Sequence, residues 1–317
     1  MRVAVVGVGH LGQHHARIYS AMAGVELVGV VDTNRARAEE IAAKCGAEPF
    51  DDARDLIDRV DAVSVAVPTV AHLEVALPFL AARKAVLVEK PLAPSVADAD
   101  RLIAAAAASG AMLAAGHTER FNPAVEAARP MITDPRFIEV HRLGTFPDRS
   151  LDIDVVFDLM IHDLDLLLAL VKSEVVSVEA VGVNVLTRRI DIANARLRFA
   201  SGCIANLTAS RISRDRVRKI RFFQHSTYVS IDYAAREVEV YTLVPARDAR
   251  PGEEDRRPEI RGGKLPVMDD EPLRRELADF VDAARGRRQP GVTGREGRDA
   301  LALATLVAEK MSEDSRG

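Results

Sequence analysis

Residues 2–12 read RVAVVGVGHLG, and this stretch decides the fold of the N-terminal half. Residues 2–8 form a continuous valine-rich apolar run, which is typical of a parallel strand buried on both faces. A helix pattern follows directly, so the glycines that begin at Gly7 lie between a strand and a helix. This context predicts a dinucleotide-binding turn.

The glycines of this turn follow the G-x-G-x-x-G pattern, and each has its own physical task. Gly7 allows the tight turn, Gly9 lets a pyrophosphate approach the backbone, and Gly12 lets the helix pack closely on the strand. The helix N-terminus favours an anion because it presents N–H groups and the positive end of the helix dipole. His10 and Leu11 lie inside the motif, and we include them in the predicted cofactor site.

Asp32 ends the second apolar strand, 20 residues after Gly12. A carboxylate there accepts hydrogen bonds from the adenosine ribose hydroxyls and repels a 2′-phosphate, so NAD is favoured over NADP. Arg35 and Arg37 lie close in sequence and could weaken that preference. The alternative interpretation is a glycine turn in an α/β domain that binds no nucleotide.

Strands and helices alternate as far as about residue 120. Further apolar strands are predicted within residues 26–32, 47–50, 62–68, 85–91 and 111–116. Such an alternation predicts an α/β fold, a doubly wound parallel sheet with right-handed crossovers.

The hydrophobic pattern changes after about residue 120, where short predicted strands with alternating apolar and polar residues predominate. Sequential strands with short turns predict an antiparallel sheet. A helix is predicted at about residues 155–171, and two more helices at about 271–286 and 295–312. Residues 245–270 are rich in charged residues, glycine and proline, and we expect a long exposed excursion there.

Composition excludes several classes of protein. The 317 residues carry a formal net charge of −4, which disfavours a general nucleic-acid binder. Cys45 and Cys203 lack CxxC or histidine-rich neighbours, so we expect no metal site and a reducing, cytoplasmic environment. The alanine-rich stretch 102–116 is too short to span a membrane. Only seven of the 43 basic residues are lysines, so the position of each lysine deserves notice.

Lys90 lies in Glu89-Lys90-Pro91, directly after the apolar strand that ends at Val88. Ligands of open α/β sheets bind at the carboxyl ends of the strands. A lysine at this edge faces the cofactor crevice, and partial desolvation would lower its pKa. The alternative interpretation is an ordinary surface lysine at a strand end.

Asp158 and His162 are four residues apart in the predicted helix 155–171 and so share one face. A carboxylate beside an imidazole fixes its tautomer and raises its basicity, which suits a general base near neutral pH. Asp165 lies three residues further on. A metal site is disfavoured because no further ligands follow at recognisable spacing. The alternative is a capping or ion-pair cluster on an amphipathic helix.

Together, GVGHLG with Asp32, Glu89-Lys90-Pro91 and Asp158-x-x-x-His162 resemble the glucose-fructose oxidoreductase / inositol dehydrogenase (Gfo/Idh/MocA) family of NAD(P)-dependent enzymes over nearly the whole chain. The resemblance implies an NAD-binding Rossmann domain at 1–120. It implies a substrate-binding and oligomerisation domain of α+β type at 121–317, built on a large, mostly antiparallel open sheet. A homodimer or homotetramer through that sheet is expected.

The resemblance also implies roles for individual residues. Lys90, Asp158 and His162 match the catalytic residues of the family, and Lys90 and His162 would also touch the substrate. Three more residues, Pro68, His72 and Glu89, match segments that bind the cofactor. Many members have glycine where Met160 stands here, so we expect its side chain to narrow the substrate pocket.

The substrate expected from the resemblance is a sugar or nucleotide-linked sugar. Residues 117–125 and 151–168 and the stretches around Arg211 and 221–232 resemble bacterial UDP-N-acetylglucosamine 3-dehydrogenases, which precede an aminotransferase on the way to diamino-sugar lipid A. The side chains of Arg120, Asn122 and Arg211 are therefore substrate-binding candidates, since arginine forks suit phosphate oxygens.

Ordinary ion pairing is the alternative for both arginines. An inositol or free-sugar dehydrogenase of the same family is an alternative activity. A non-catalytic NAD-binding redox regulator is an alternative of another class.

Overall fold

A computed structural model describes residues 1–146, 153–244, 258–286 and 288–314. The chain divides into two compact units, and each unit joins two separate stretches of sequence. The first unit contains Met1–Phe121 and Asp270–Ala302, and the second contains Asn122–Asp269 and Leu303–Gly317. Among the described helices, none combines the length and the apolar character needed to cross a membrane.

The first unit is built on a six-stranded parallel sheet in the order β3-β2-β1-β4-β5-β6. The strands are β1 (Arg2–Val6), β2 (Glu26–Val31), β3 (Glu48–Phe50), β4 (Ala62–Val65), β5 (Ala85–Glu89) and β6 (Leu113–Gly116). The helices between them are α1 (Gly12–Ala21), α2 (Arg35–Cys45), α3 (His72–Ala81) and α4 (Val96–Ser109). The predicted doubly wound sheet is confirmed, and its strand order reverses between β1 and β4, where ligands of such sheets bind.

Helix α7 (Pro272–Gly286) packs in the first unit although it lies late in the sequence. Its apolar side chains Leu277, Phe280 and Val281 join the core that β1 and α1 form. The boundary predicted near residue 120 assigns this helix to the second domain, whereas its contacts place it with the first. The assignment of cofactor and substrate tasks to two domains stays a prediction.

The second unit contains an eight-stranded sheet in the order β14-β13-β12-β11-β7-β10-β9-β8. The strands are β7 (Pro135–Leu143), β8 (Val175–Val183), β9 (Ile192–Phe199), β10 (Ile204–Ser210), β11 (Val217–Gln224), β12 (Thr227–Asp232), β13 (Glu237–Val244) and β14 (Glu259–Leu265). All neighbours are antiparallel except β7 and β10, which run parallel. The helices are α5 (Pro123–Ala128), α6 (Ile161–Val171) and α8 (Gly294–Asp314), which contributes to both units. A large, mostly antiparallel sheet is confirmed.

Strand β14 corrects the expectation of an exposed excursion over residues 245–270. Residues 259–265 pair with β13 along their whole length, from Val244↔Glu259 to Val238↔Leu265. The strand was hard to recognise because it lies at the sheet edge with most side chains exposed, as its glycines and charges allow. Residues 245–257 lie outside the described part of the chain.

Replacing Phe280 with alanine tests whether α7 is part of the core of the first unit. Phe280 is fully buried, so its truncation leaves a cavity. We expect a loss of about 3–5 kcal/mol in the free energy of unfolding. Urea unfolding followed by circular dichroism measures this loss. Asp282→Ala on the exposed side of the same helix is the control, expected to change stability by less than about 0.5 kcal/mol. Equal effects of the two substitutions would contradict the packing.

Candidate active site

The turn between β1 and α1 requires glycine at two of its three motif positions. Gly7 has a φ of 86°, and its N–H donates to the Val31 carbonyl at 2.7 Å. A Cβ on Gly7 would lie 2.7 Å from the backbone of Ala66, and one on Gly12 only 1.7 Å from the Gly7 oxygen. A Cβ on Gly9, in contrast, would meet nothing within 4 Å. The backbone at Gly9 is therefore open to a ligand.

The N-terminus of α1 also fits a dinucleotide. Helices α2 and α4 are capped by the side chains of Asn34 and Ser95, whereas no side chain caps α1 and no acidic residue lies in its first turn. Leu11 occupies its N-cap position and is 40% exposed. The exposed ring of His10 contacts His14 edge-on. An open, uncapped helix end next to Gly9 suits the pyrophosphate of NAD.

Asp32 lies at the end of β2 and is held against the glycine turn. Its Oδ2 accepts the N–H of Val8, and its Oδ1 accepts the N–H of Asn34, both at 2.9 Å. The side chain is half-buried. These two backbone bonds fix the carboxylate beside the turn, where the ribose of a bound dinucleotide is expected.

The two arginines that follow Asp32 are engaged in local pairs. Arg35 binds Glu39 at 2.8 Å and Asp51 at 2.7 Å. Arg37 donates to the Val8 carbonyl, to Glu40 and to Gln13. Neither guanidinium is an isolated charge, so recognition of a 2′-phosphate would have to compete with these pairs.

Lys90 follows β5 at the carboxyl edge of the first sheet, as predicted, and is half-buried. The preceding residue, Glu89, is only 5% exposed and lies within hydrogen-bond distance of His15 on α1. The position of Lys90 at the strand end is therefore set by buried neighbours. Sequence reasoning did not single out His15, because nothing in its spacing distinguishes it from other helix positions.

His72 connects the loops that follow β4 and β5. Its Nδ1 lies 3.0 Å from the Pro91 carbonyl and its Nε2 3.0 Å from the Val67 carbonyl. Burial lowers the pKa of this imidazole. His72 is 1% exposed and contacts both loops, so it fixes their positions from inside the first unit. Pro68 lies in the first of these loops. Direct contact of Pro68, His72 and Glu89 with the cofactor stays a prediction.

In the second unit, Asp158 and His162 lie where a π-helical turn, Val156–Met160, continues into α6. Both side chains are half-buried. Met160 and Ile161 between them are fully buried. The Met160 side chain therefore belongs to the core, and the expectation that it narrows a substrate pocket is not supported by its burial. Residues 151 and 152 of the segment 151–168 lie outside the described part.

An ion pair between Arg142 and Asp163 holds α6 against β7. The guanidinium donates to both carboxylate oxygens, at 2.7 and 2.8 Å, and both side chains are almost fully buried. Arg142 also stacks over the ring of Tyr233. Asp163 directly follows His162, so this bidentate pair fixes the helix segment that carries His162. The sequence offered no signal for it, since the partners are 21 residues apart on different elements.

The predicted substrate ligand Arg211 is buried inside the second unit. It donates to Asp191 at 2.9 Å, to the Ile153 carbonyl at 2.7 Å and to Thr187 at 3.1 Å. Asp191 in turn accepts three consecutive backbone N–H groups, from Val185, Leu186 and Thr187. These contacts favour the ion-pair alternative for Arg211, with the difference that the pair is internal rather than on the surface.

Arg120 and Asn122 are also buried. Arg120 pairs with Glu296 in the first unit. Asn122 caps α5, since its Oδ1 accepts the N–H of Ala124 at 3.0 Å. Substrate binding by these residues stays a prediction. Within the described residues, no group of three His, Cys, Asp or Glu side chains is placed to hold a metal ion.

The doubly wound sheet, the glycine turn and Asp32 define a protein of the NAD-binding Rossmann class. Residues 1–117 match the family model described as an oxidoreductase family with an NAD-binding Rossmann fold. Residues 131–227 match the C-terminal domain of the same family. The chain belongs to the Gfo/Idh/MocA oxidoreductase family. It is thus an NAD-dependent oxidoreductase, and the predicted family, enzyme class and cofactor are confirmed.

Several known proteins resemble this chain over its full length. UDP-N-acetylglucosamine 3-dehydrogenase of Acidithiobacillus ferrooxidans is 39% identical over 308 residues, which cover 97% of this chain and 96% of that protein. A solved structure of that enzyme superimposes with a TM-score of 0.90 at 38% identity, covering 98% of this chain and 97% of the other. Myo-inositol 2-dehydrogenase of Thermotoga maritima is 27% identical and covers 100% of this chain and 97% of that protein.

Two glycine substitutions separate the roles of the turn. Gly9→Ala places a methyl group in open space, so we expect unchanged stability but NAD binding weakened about tenfold or more, or about 1.4 kcal/mol. Gly12→Ala collides with the Gly7 carbonyl and is expected to destabilise the unit itself. Calorimetric titration with NAD and urea unfolding measure the two effects. Normal NAD affinity in Gly9→Ala would contradict the assignment of this opening to the pyrophosphate.

Asp32→Asn tests the choice between NAD and NADP. The amide keeps one oxygen acceptor at the turn but removes the charge that repels a 2′-phosphate. We expect the ratio of the NADP to the NAD dissociation constant to fall about tenfold, or about 1.4 kcal/mol. Calorimetry with both cofactors measures this ratio. Asp58→Asn, the same change at an exposed position before β4, is the control and should leave the ratio unchanged. An unchanged ratio in Asp32→Asn would show that the carboxylate does not set the preference.

Proposed function

We propose that this oxidoreductase oxidises UDP-N-acetylglucosamine at C3 of the sugar, with NAD as the hydride acceptor. The observation that carries the proposal is the 39% identity, over 97% of the chain, to a protein that bears this activity in its name. The presence of Lys90, Asp158 and His162 supports it, because a chain that only sensed the cofactor would have no need of them.

In the proposed reaction, the glycine turn at Gly9 and the carboxylate of Asp32 would hold NAD, which would supply the hydride acceptor for the carbon that carries the hydroxyl group. His162 accepts the hydroxyl proton on an imidazole nitrogen. Asp158, four residues earlier, supports His162 in this role. Lys90 donates a hydrogen bond to the substrate oxygen and stabilises the negative charge that develops there. The protein thus supplies orientation and proton transfer, while the nicotinamide supplies the redox chemistry.

The segment around His162 is built to keep its position during this step. The buried Arg142–Asp163 pair anchors the residue that follows His162, and the buried Met160 and Ile161 anchor the residues before it. A proton acceptor that is held by its neighbours needs little reorganisation when the substrate arrives. The rigid anchoring therefore supports a catalytic role for this turn over a simple capping role.

The proposed product is a 3-keto sugar nucleotide, whose carbonyl group is a substrate for transamination. We therefore place the reaction before an aminotransferase, on the way to diamino-sugar lipid A, as the resemblance implies. Cys45 and Cys203 are both unpaired thiols, which supports a reducing, cytoplasmic location.

A homodimer or homotetramer through the sheet of the second unit is proposed as well. Partly or fully exposed rings on one face of the sheet lie side by side across β7, β11, β12 and β13, with neighbouring centroids 5.3–6.3 Å apart. The rings belong to Phe137, Phe223, Tyr228 and Tyr241. Aromatic residues are enriched at protein interfaces, so this face suits a second copy of the chain.

The inositol dehydrogenases are the second candidate activity, because one of them is similar over the entire chain. A panel of UDP-N-acetylglucosamine, UDP-glucose, free N-acetylglucosamine and myo-inositol, each with NAD, separates the candidates by NADH formation. Turnover of myo-inositol alone would replace the proposed substrate. NAD binding without turnover of any of them would favour the non-catalytic regulator.

The catalytic assignment is tested by Lys90→Ala and His162→Ala. We expect each substitution to lower kcat with UDP-N-acetylglucosamine about 100-fold or more, as loss of a general base does for His162 and loss of a charge-stabilising donor does for Lys90. The dissociation constant of NAD should change little in His162→Ala. Lys84→Ala, before β5, is the matched control and should retain full activity. Full activity in Lys90→Ala or His162→Ala would contradict the role assigned to that residue.

A further inference from the structure

A buried pair joins the dinucleotide helix to the strand that carries Lys90. His15 on α1 is completely buried, and its Nε2 lies 3.0 Å from Oε1 of Glu89 at the end of β5. The other oxygen of Glu89, Oε2, accepts the backbone N–H of Lys90 at 3.2 Å. One carboxylate therefore contacts both α1 and the residue proposed to polarise the substrate.

The hydrogen bonds of the pair follow from its surroundings. His15 Nδ1 is buried and meets no hydrogen-bond partner among the described residues. Among the described residues, Nε2 is therefore the His15 nitrogen that meets a side-chain partner, and that partner is Oε1 of Glu89. Burial raises the pKa of Glu89, but the hydrogen bond and charge of His15 and the charge of Lys90 outweigh it and hold that pKa below its ordinary value. Glu89 is thus ionised and accepts from both neighbours.

The carboxylate is also confined from the neighbouring strand. On β6, Gly116 faces Glu89 so closely that an added Cβ would lie 3.0 Å from the carboxyl carbon and 3.1 Å from Oε2. The side chain of Glu89 therefore lies between the backbone of β6 and the imidazole of His15. Two apolar residues would fill the same space without the desolvation of a charge. Core packing alone therefore does not account for a charged pair at this position.

We propose that His15 is a positioning residue for the reaction: through the Glu89 carboxylate it fixes the backbone of Lys90, and with it the lysine amine, relative to the helix that binds the cofactor. The inference rests on the proposed role of Lys90. It assigns Glu89 to the interior of this link rather than to direct contact with the cofactor. We expect the glycine turn to bind NAD without this link.

A set of three substitutions on α1 tests the link. His15→Leu fills the space but removes the donor, whereas His15→Gln places an amide N–H near the position of Nε2. Tyr19→Phe is the matched control, because it removes another fully buried hydrogen bond of the same helix, the 2.8 Å contact with Ser64 on β4. We expect kcat to fall about 10- to 100-fold in His15→Leu, as misplacement of a catalytic group does, with KM for NAD changed less than about threefold.

The same measurement in His15→Gln should return kcat to within about threefold of the wild-type value, and Tyr19→Phe should stay within about twofold, since neither displaces Lys90. Equal loss in His15→Leu and His15→Gln would show that only the imidazole shape matters and would overturn the proposal. Equal, small effects of His15→Leu and Tyr19→Phe would overturn it as well. A loss confined to KM for NAD would assign His15 to cofactor binding instead.

A second readout does not depend on the substrate. Reductive methylation with ¹³C-formaldehyde labels the seven lysines and the N-terminal amine, and the Lys90 signal is identified by its absence in Lys90→Arg. We expect this signal alone to move in His15→Leu and to return in His15→Gln. Unmoved Lys90 signals in both variants would overturn the proposal even if the enzyme is active. If wild-type protein turns over no sugar but the Lys90 signal moves as expected, the proposed function fails and the structural link stands.

Discussion

The contact between Gly12 and Gly7 is the constraint on which the rest of the first unit depends. The start of α1 lies so close to the end of β1 that no side chain fits between them, since a Cβ on Gly12 would be 1.7 Å from the Gly7 oxygen. Because α1 begins this close to β1, its uncapped N-terminus lies next to the opening beside Gly9. It also brings His15, one turn into the helix, within reach of β5. Cofactor binding and the placement of Lys90 thus share one structural origin.

The same geometry predicts that backbone groups more than side chains would hold NAD. A pyrophosphate at a helix N-terminus needs N–H groups and space, and glycines provide both. The side chain of Asp32 is itself fixed by two backbone N–H groups, so the ribose would meet a carboxylate that is already oriented. Preorganisation of this kind lowers the entropy that binding must overcome.

The features that were predictable from sequence are those whose physical cause is local. A valine-rich run followed by G-x-G-x-x-G determines strand, turn and helix within about a dozen residues, and the parallel sheet follows from repetition of that unit. Strand β14 was not predicted, because an exposed edge strand lacks the alternation of apolar and polar residues that indicates a strand. The packing of α7 in the first unit could not be predicted from local patterns, because its partners, such as Val5 and Leu87, lie about 190 or more residues away in sequence.

Buried charges mark the limit of what a single sequence can reveal about the site. The sequence alone does not show whether Arg211 and Arg142 meet a ligand or a partner within the protein. The fold pairs one with Asp191 and the other with Asp163, and both become internal supports. Such pairs contribute little net stability compared with apolar residues of the same volume.

Their value in this protein lies in where they hold the chain: the Asp163 pair is adjacent to His162, and the Glu89 pair is adjacent to Lys90. Lys90 and His162 are thus preceded or followed in sequence by a buried carboxylate whose partner lies on another element, so the placement of these two groups depends on contacts that only the folded chain creates.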